Sequence, residues 1–89
     1  MAKAPRQYEE PTASYNIKQI RLNENTVVRV VLKEYAERET IDIRQWYKTK
    51  ADPTVKPGKG MVIPLEYAKD VRDALNLAIA RAEKEGLDV

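Results

Sequence analysis

Between Asn16 and Ile63 apolar positions alternate with polar ones, and beyond Leu65 they recur at a helical period. Ile20 and Leu22 alternate with Gln19 and Arg21, which predicts a first strand beginning near Asn16. Asn23-Glu24-Asn25 is a turn cluster. Thr26–Lys33 is rich in β-branched residues and predicts the clearest strand. Val28, Val30 and Leu32 share one of its faces. Val27, Arg29, Val31 and Lys33 share the other, which is both apolar and basic. Glu34–Glu39 reads as a hairpin connection with Tyr35 near its tip. Thr40–Tyr47 alternates again, with Ile41 and Ile43 on one face and Asp42, Arg44 and Trp46 on the other. Lys48–Lys56 reads as a loop around Asp52-Pro53. Pro57-Gly58-Lys59-Gly60 reads as a turn whose glycines can take positive φ. Met61-Val62-Ile63 is a short fourth strand, ended by Pro64.

Leu65–Glu85 predicts one long helix. Ala68, Val71, Leu75, Ala78 and Ala82 form its apolar stripe, and Ala74, Leu77 and Ile79 widen it. Glu66 and Lys84 suit the two ends of the helix dipole, and Gly86 suits the C-terminal cap. The expected fold class is therefore α+β, a four-stranded antiparallel sheet followed by one long C-terminal helix (β-β-β-β-α). One helix can cover only one face of such a sheet, so the other must meet solvent, a ligand or a partner. The apolar arc is wider than a small sheet requires. Either its far end meets another subunit or it lies over the chain's own sheet.

Eighty-nine residues suffice for one small domain. Residues 1–15, with Pro5 and Pro11 and no apolar period, read as a flexible leader. Residues 16–89 read as the domain. The chain contains no Cys and no His. That excludes disulfides, thiolate and imidazole metal sites, and Cys or Ser–His nucleophiles. Pro57–Gly60 lacks the GK[ST] of a phosphate loop. No enzyme, cofactor or metal is expected. No apolar run is long enough to span a membrane, and the N-terminus lacks the apolar core of a signal peptide. An intracellular protein is expected, in nucleoid or cytoplasm, in the nucleus of a eukaryote, or in the host cytoplasm for a phage.

Net charge is +2, but it is unevenly spread. Residues 1–16 are neutral, residues 17–64 carry ten bases against six acids, and residues 65–89 carry four against six. The basic excess falls on the strand-rich part. Asp42, flanked by Arg44 and Lys33, reads as an ion pair rather than a catalytic acid. Arg29, Lys33, Arg44 and Trp46 can share the uncovered face, with Tyr35 at the hairpin and Tyr47 ending the third strand. Lys56 and Lys59 flank the glycine segment. Cations that track phosphates, together with rings that stack on bases, hold single-stranded nucleic acid. Packing in a core or dimer interface accounts equally well for either aromatic taken alone.

Ile41-Asp42-Ile43-Arg44-Gln45-Trp46-Tyr47, a loop, and Lys56-Pro57-Gly58-Lys59-Gly60 leading through a strand into a helix resemble a known family. It is the C-terminal single-stranded-DNA-binding domain of the transcriptional coactivator positive cofactor four. Leu22–Val30 is similar to bacterial and viral members, and the resemblance spans roughly residues 17–80. It implies a dimer formed through helix and sheet, with two antiparallel channels for single-stranded DNA or melted duplex. It implies DNA-binding roles for Arg44, for Tyr35 and Arg38 at the hairpin, and for Lys56 and Lys59. The family's aromatic three residues after the arginine is Tyr47 here, and the tryptophan stands one position earlier, at Trp46. Neighbouring strand residues face opposite sides, so which ring stacks on bases is open at this point. The chain also has one residue fewer between Gly58 and Gly60 than the family pattern.

The expected function is sequence-tolerant single-stranded DNA binding as a homodimer, in transcription, replication or repair. The expected contacts are Arg29, Lys33, Tyr35, Arg38, Arg44, Trp46, Tyr47, Lys56 and Lys59. The alternative is a protein-interaction module that docks on polymerase or other transcription or replication machinery through the exposed sheet. RNA shares the stacking chemistry and is not separated from DNA by the sequence.

Overall fold

The computed structural model describes residues 10–89. Four strands form one antiparallel meander in chain order: β1 (Ala13–Asn23), β2 (Thr26–Tyr35), β3 (Arg38–Tyr47) and β4 (Lys56–Pro64). A short 3₁₀ turn, Leu65–Tyr67, leads into the helix α1 (Ala68–Lys84). The α+β class and the element order match the sequence pattern. Residues 1–9 of the expected leader lie outside the described residues, and Ala13–Tyr15 belong to β1.

Alternation fixes the two faces, because antiparallel partners share a side of the sheet. Val28, Val30 and Leu32 of β2 stand opposite Gln45, Ile43 and Ile41 of β3. Ile20 and Tyr15 of β1 and Met61 and Ile63 of β4 join them through the outer pairings. This is the apolar face. On the other face Val27 pairs with Trp46, Arg29 with Arg44, Val31 with Asp42 and Lys33 with Thr40. Both tight hairpins, Glu24-Asn25 and Ala36-Glu37, connect consecutive strands through two residues. In the first, the Asn25 backbone N–H donates to Asn23 Oδ1 at 2.8 Å, so the turn is set by an asparagine side chain.

The glycine segment is strand, not turn. Lys56–Gly60 belongs to β4, and the only positive φ among the described residues is at Gly86, the helix cap. The glycines serve close approach instead. A Cβ at Gly60 would lie 2.6 Å from the Ile43 carbonyl oxygen and 2.7 Å from Arg44 Cα. A Cβ at Gly58 would meet the Tyr47 ring at 3.2 Å. The pairing of β3 with β4 shifts register between Arg44 and Trp46, which makes an irregularity beside these glycines.

The helix does not cover the apolar face. It meets the 3₁₀ turn that precedes it, and that turn meets β3. No residue of α1 is buried, and Leu75, Leu77 and Ile79 are exposed. Among the described residues only Thr40, Asp42 and Ile63 are buried. The radius of gyration is 16.1 Å, against roughly 12 Å for a compact domain of this length. Of the two alternatives for the wide helical arc, packing over the chain's own sheet is not what the fold does. A single copy therefore has a formed sheet, a formed helix and almost no core.

Candidate nucleic-acid interface

The polar face is built on β2 and β3 by their alternation, and its centre is an ion-paired cluster. Asp42 is buried between Val31 of β2 and Val62 of β4 in the pairing order. Arg44 Nε donates to Asp42 Oδ1 at 3.1 Å, and Lys33 Nζ donates to Asp42 Oδ2 at 3.2 Å. Arg44 Nη1 also donates to the Gly58 carbonyl at 3.0 Å, which ties β3 to β4 across the irregular pairing. The ion pair expected around Asp42 is present. It neutralises one charge, yet five cations stand on this face: Arg21, Arg29, Lys33, Arg38 and Arg44.

Two arginine–aromatic pairs flank this centre. The Arg29 guanidinium lies 4.6 Å from the centroid of the Trp46 ring, and that of Arg38 lies 4.3 Å from the Tyr35 ring. Arg29 is oriented from its other side by Gln19, whose Oε1 accepts from Arg29 Nε at 2.9 Å. Each end of the face thus carries a ring with a cation stacked on it. Backbone phosphates and unstacked bases need cations and rings of this kind side by side.

Of the nine contact residues expected from sequence, six share this face: Arg29, Lys33, Tyr35, Arg38, Arg44 and Trp46. Three do not. Tyr47 pairs with Thr26 and Lys56 and has its ring against Gly58, on the side opposite Trp46. Lys59 lines a depression of the apolar face with Val28, Ile43 and Met61. Lys56 Nζ lies 2.8 Å from Asp52 in the loop before β4. That bond, with hydrogen bonds from Thr54, holds the exposed Asp52 carboxyl below its ordinary value of 3.8.

Sequence reasoning missed three polar groups. Gln19 and Arg21 lie opposite Arg29 and Val27, and so extend the face onto β1. Lys48, just past β3, lines a cleft with them and Trp46. Alternation of Gln19 and Arg21 with Ile20 was visible in the sequence. The signal needed to use it was the register of β1 on β2.

The sequence profile of the family described as Transcriptional Coactivator p15 (PC4) matches residues 22–74, more than half of the chain. The match runs from the end of β1 through the other three strands into α1. No curated protein and no solved structure gives a significant match.

Proposed function

Since the chain belongs to the Transcriptional Coactivator p15 (PC4) family, a family of single-stranded-DNA-binding transcriptional coactivators, we propose that it binds single-stranded DNA across its polar sheet face as a homodimer. The observation that carries this reading is the shared placement of Arg29, Lys33, Arg38 and Arg44 with Trp46 and Tyr35 on one face, where Arg38 is exposed and the other five are half-buried. Cations there neutralise phosphates, and the rings offer surfaces to bases. Contacts of both kinds tolerate sequence, because every nucleotide has a phosphate and a π-face.

The uncovered apolar surface supports the homodimer. Tyr15, Ile20 and Met61 on the sheet and Leu75 and Ile79 on the helix are all more than two-fifths exposed. A chain with so little core gains most by burying that surface against a second copy, which offers the same helix and the same sheet face. The polar face then remains outward on both copies. Two chains with two such faces support work on melted DNA in transcription, replication or repair.

Titration of Trp46 fluorescence with a mixed-sequence single strand and with its duplex, at two salt concentrations, tests the reading. The expected result is a change larger for the single strand and weaker at high salt, because phosphate contacts release counterions. Absence of binding to either form at low salt would overturn it.

A further inference from the structure

At the β1–β2 hairpin end of the polar face lies a cleft of about 180 Å³, lined in part by Gln19, Arg21, Asn23, Glu24, Trp46 and Lys48. Its hydrogen-bonding character is set by the protein's own bonds. Asn23 Oδ1 is occupied by the Asn25 N–H at 2.8 Å, and Gln19 Oε1 by Arg29 Nε at 2.9 Å. Both donors are N–H groups and require an oxygen, which fixes the orientation of both amides. Each therefore keeps an NH₂ group that donates to no described residue. Arg21 and Lys48 likewise have no side-chain ion pair among the described residues. The cleft is rich in unspent donors. Its one carboxylate, Glu24, lies in the hairpin turn and is not ion-paired among the described residues either. Trp46, with Arg29 stacked on its ring, supplies a flat wall.

Resting on the reading that this face takes single-stranded nucleic acid, we propose that the cleft is a base-selective pocket whose preferred occupant is guanine. Guanine presents acceptors at O6 and N7, which arginine and lysine match. Its N1–H and N2 amino group are donors, which a carboxylate matches. Adenine puts an amino group where guanine has O6, so the cleft's donors would face a donor. Thymine has acceptors but only its N3–H for Glu24, and cytosine gives Glu24 its N4 amino group but lacks the O6/N7 acceptor pair that arginine and lysine match. A phosphate satisfies the cations but is repelled by Glu24, so the carboxylate argues for a base. The sheet face thus combines sequence-tolerant contacts along its length with one selective position at the hairpin end.

The test uses the full chain and a thymine-only oligonucleotide in which one central thymine is replaced by guanine, hypoxanthine or adenine. The guanine strand is expected to bind about tenfold more tightly than the adenine strand. Hypoxanthine, which lacks the N2 amino group, should fall between them. In Glu24→Gln the guanine-to-hypoxanthine ratio should drop toward one. Equal binding of all the strands overturns the base-selective pocket and leaves the general binding reading standing. A guanine preference over hypoxanthine that survives intact in Glu24→Gln also overturns the assignment. Failure of every strand to bind removes the underlying reading, and the pocket with it.

Discussion

Arg44 and Asp42 lie two residues apart on the same face of β3, and Arg44 Nε donates to Asp42 Oδ1 at 3.1 Å. The Asp42 side chain is 8% exposed while those of Arg44 and Lys33 are 27% and 30% exposed, so the acid is buried and its partners reach water with less than a third of their surface. Arg44 spends a further donor on the Gly58 carbonyl. The arginine that the family resemblance marks for DNA is therefore also a clamp between β3 and β4.

Asp42→Ala should consequently lower stability. Removing the shared acceptor leaves two cations without their partner, at a cost of about 1–3 kcal/mol, with water relieving part of it. Urea unfolding at fixed protomer concentration reads this as a lower midpoint. An unchanged midpoint would show that the pair contributes nothing to the fold.

The two glycines of β4 should respond unequally to alanine. At Gly60 the new Cβ meets backbone atoms at 2.6 and 2.7 Å, so the strands must separate. A loss of about 2–3 kcal/mol is expected there. At Gly58 the nearest atoms belong to the Tyr47 ring, which can give by a few tenths of an ångström, and the loss should be smaller. Thermal unfolding of the two variants compares them directly.

Trp46 and Tyr47, adjacent in sequence, stand on opposite faces of the sheet. Trp46→Ala should weaken binding of single strands by about 1–3 kcal/mol, the range found for a base–aromatic stack. Tyr47→Ala should leave affinity nearly unchanged and lower stability, because its ring packs on Gly58. Anisotropy of a labelled strand measures the first effect and urea unfolding the second. The reverse outcome would place the DNA on the other face.

Leu75→Asp should shift the chain from dimer to monomer. Leu75 is 57% exposed on a helix that no strand of its own chain covers. A charge there has no cost in the isolated copy and a large one in an apolar interface. Sedimentation equilibrium across a concentration series distinguishes the two states. If the parent protein is monomeric throughout, the homodimer reading is wrong.

Asp52 offers a pH test away from the polar face. Its pKa is lowered chiefly by Lys56, with Thr54 adding to the effect. A group whose folded pKa lies below its unfolded one contributes stability above the unfolded pKa of about 3.8 and loses it as pH falls through the folded value. The loop before β4 should therefore loosen only in acid. Carbon-detected NMR titration should find Asp52 below the ordinary carboxylate range, and Lys56→Ala should raise it.

The amino-acid order alone determined the element order and the two faces of β2 and β3. Side chains in a strand alternate with a period of two, so Arg29 and Lys33, or Arg44 and Trp46, fall together whatever the strand pairs with. It determined equally that Val28, Val30, Leu32, Ile41 and Ile43 form apolar surface. What lay between strands was decided by tertiary pairing. A one-residue change of register moves a side chain to the other face. The irregular pairing of β4 after Arg44 is the kind of step that separates Lys59 from the cations it resembles in sequence. The segment that looked suited to a turn is a strand, and Gly60 is needed in it because the neighbouring β3 backbone leaves no room for a Cβ, a fact that belongs to the pair of strands and not to either one. The addition of Gln19 and Arg21 to the polar face needed the register of β1. The helix shows the same division most plainly. Its apolar period is written in the chain, but whether that stripe meets its own sheet depends on the direction it takes after Pro64, and here it leads the stripe away from the sheet.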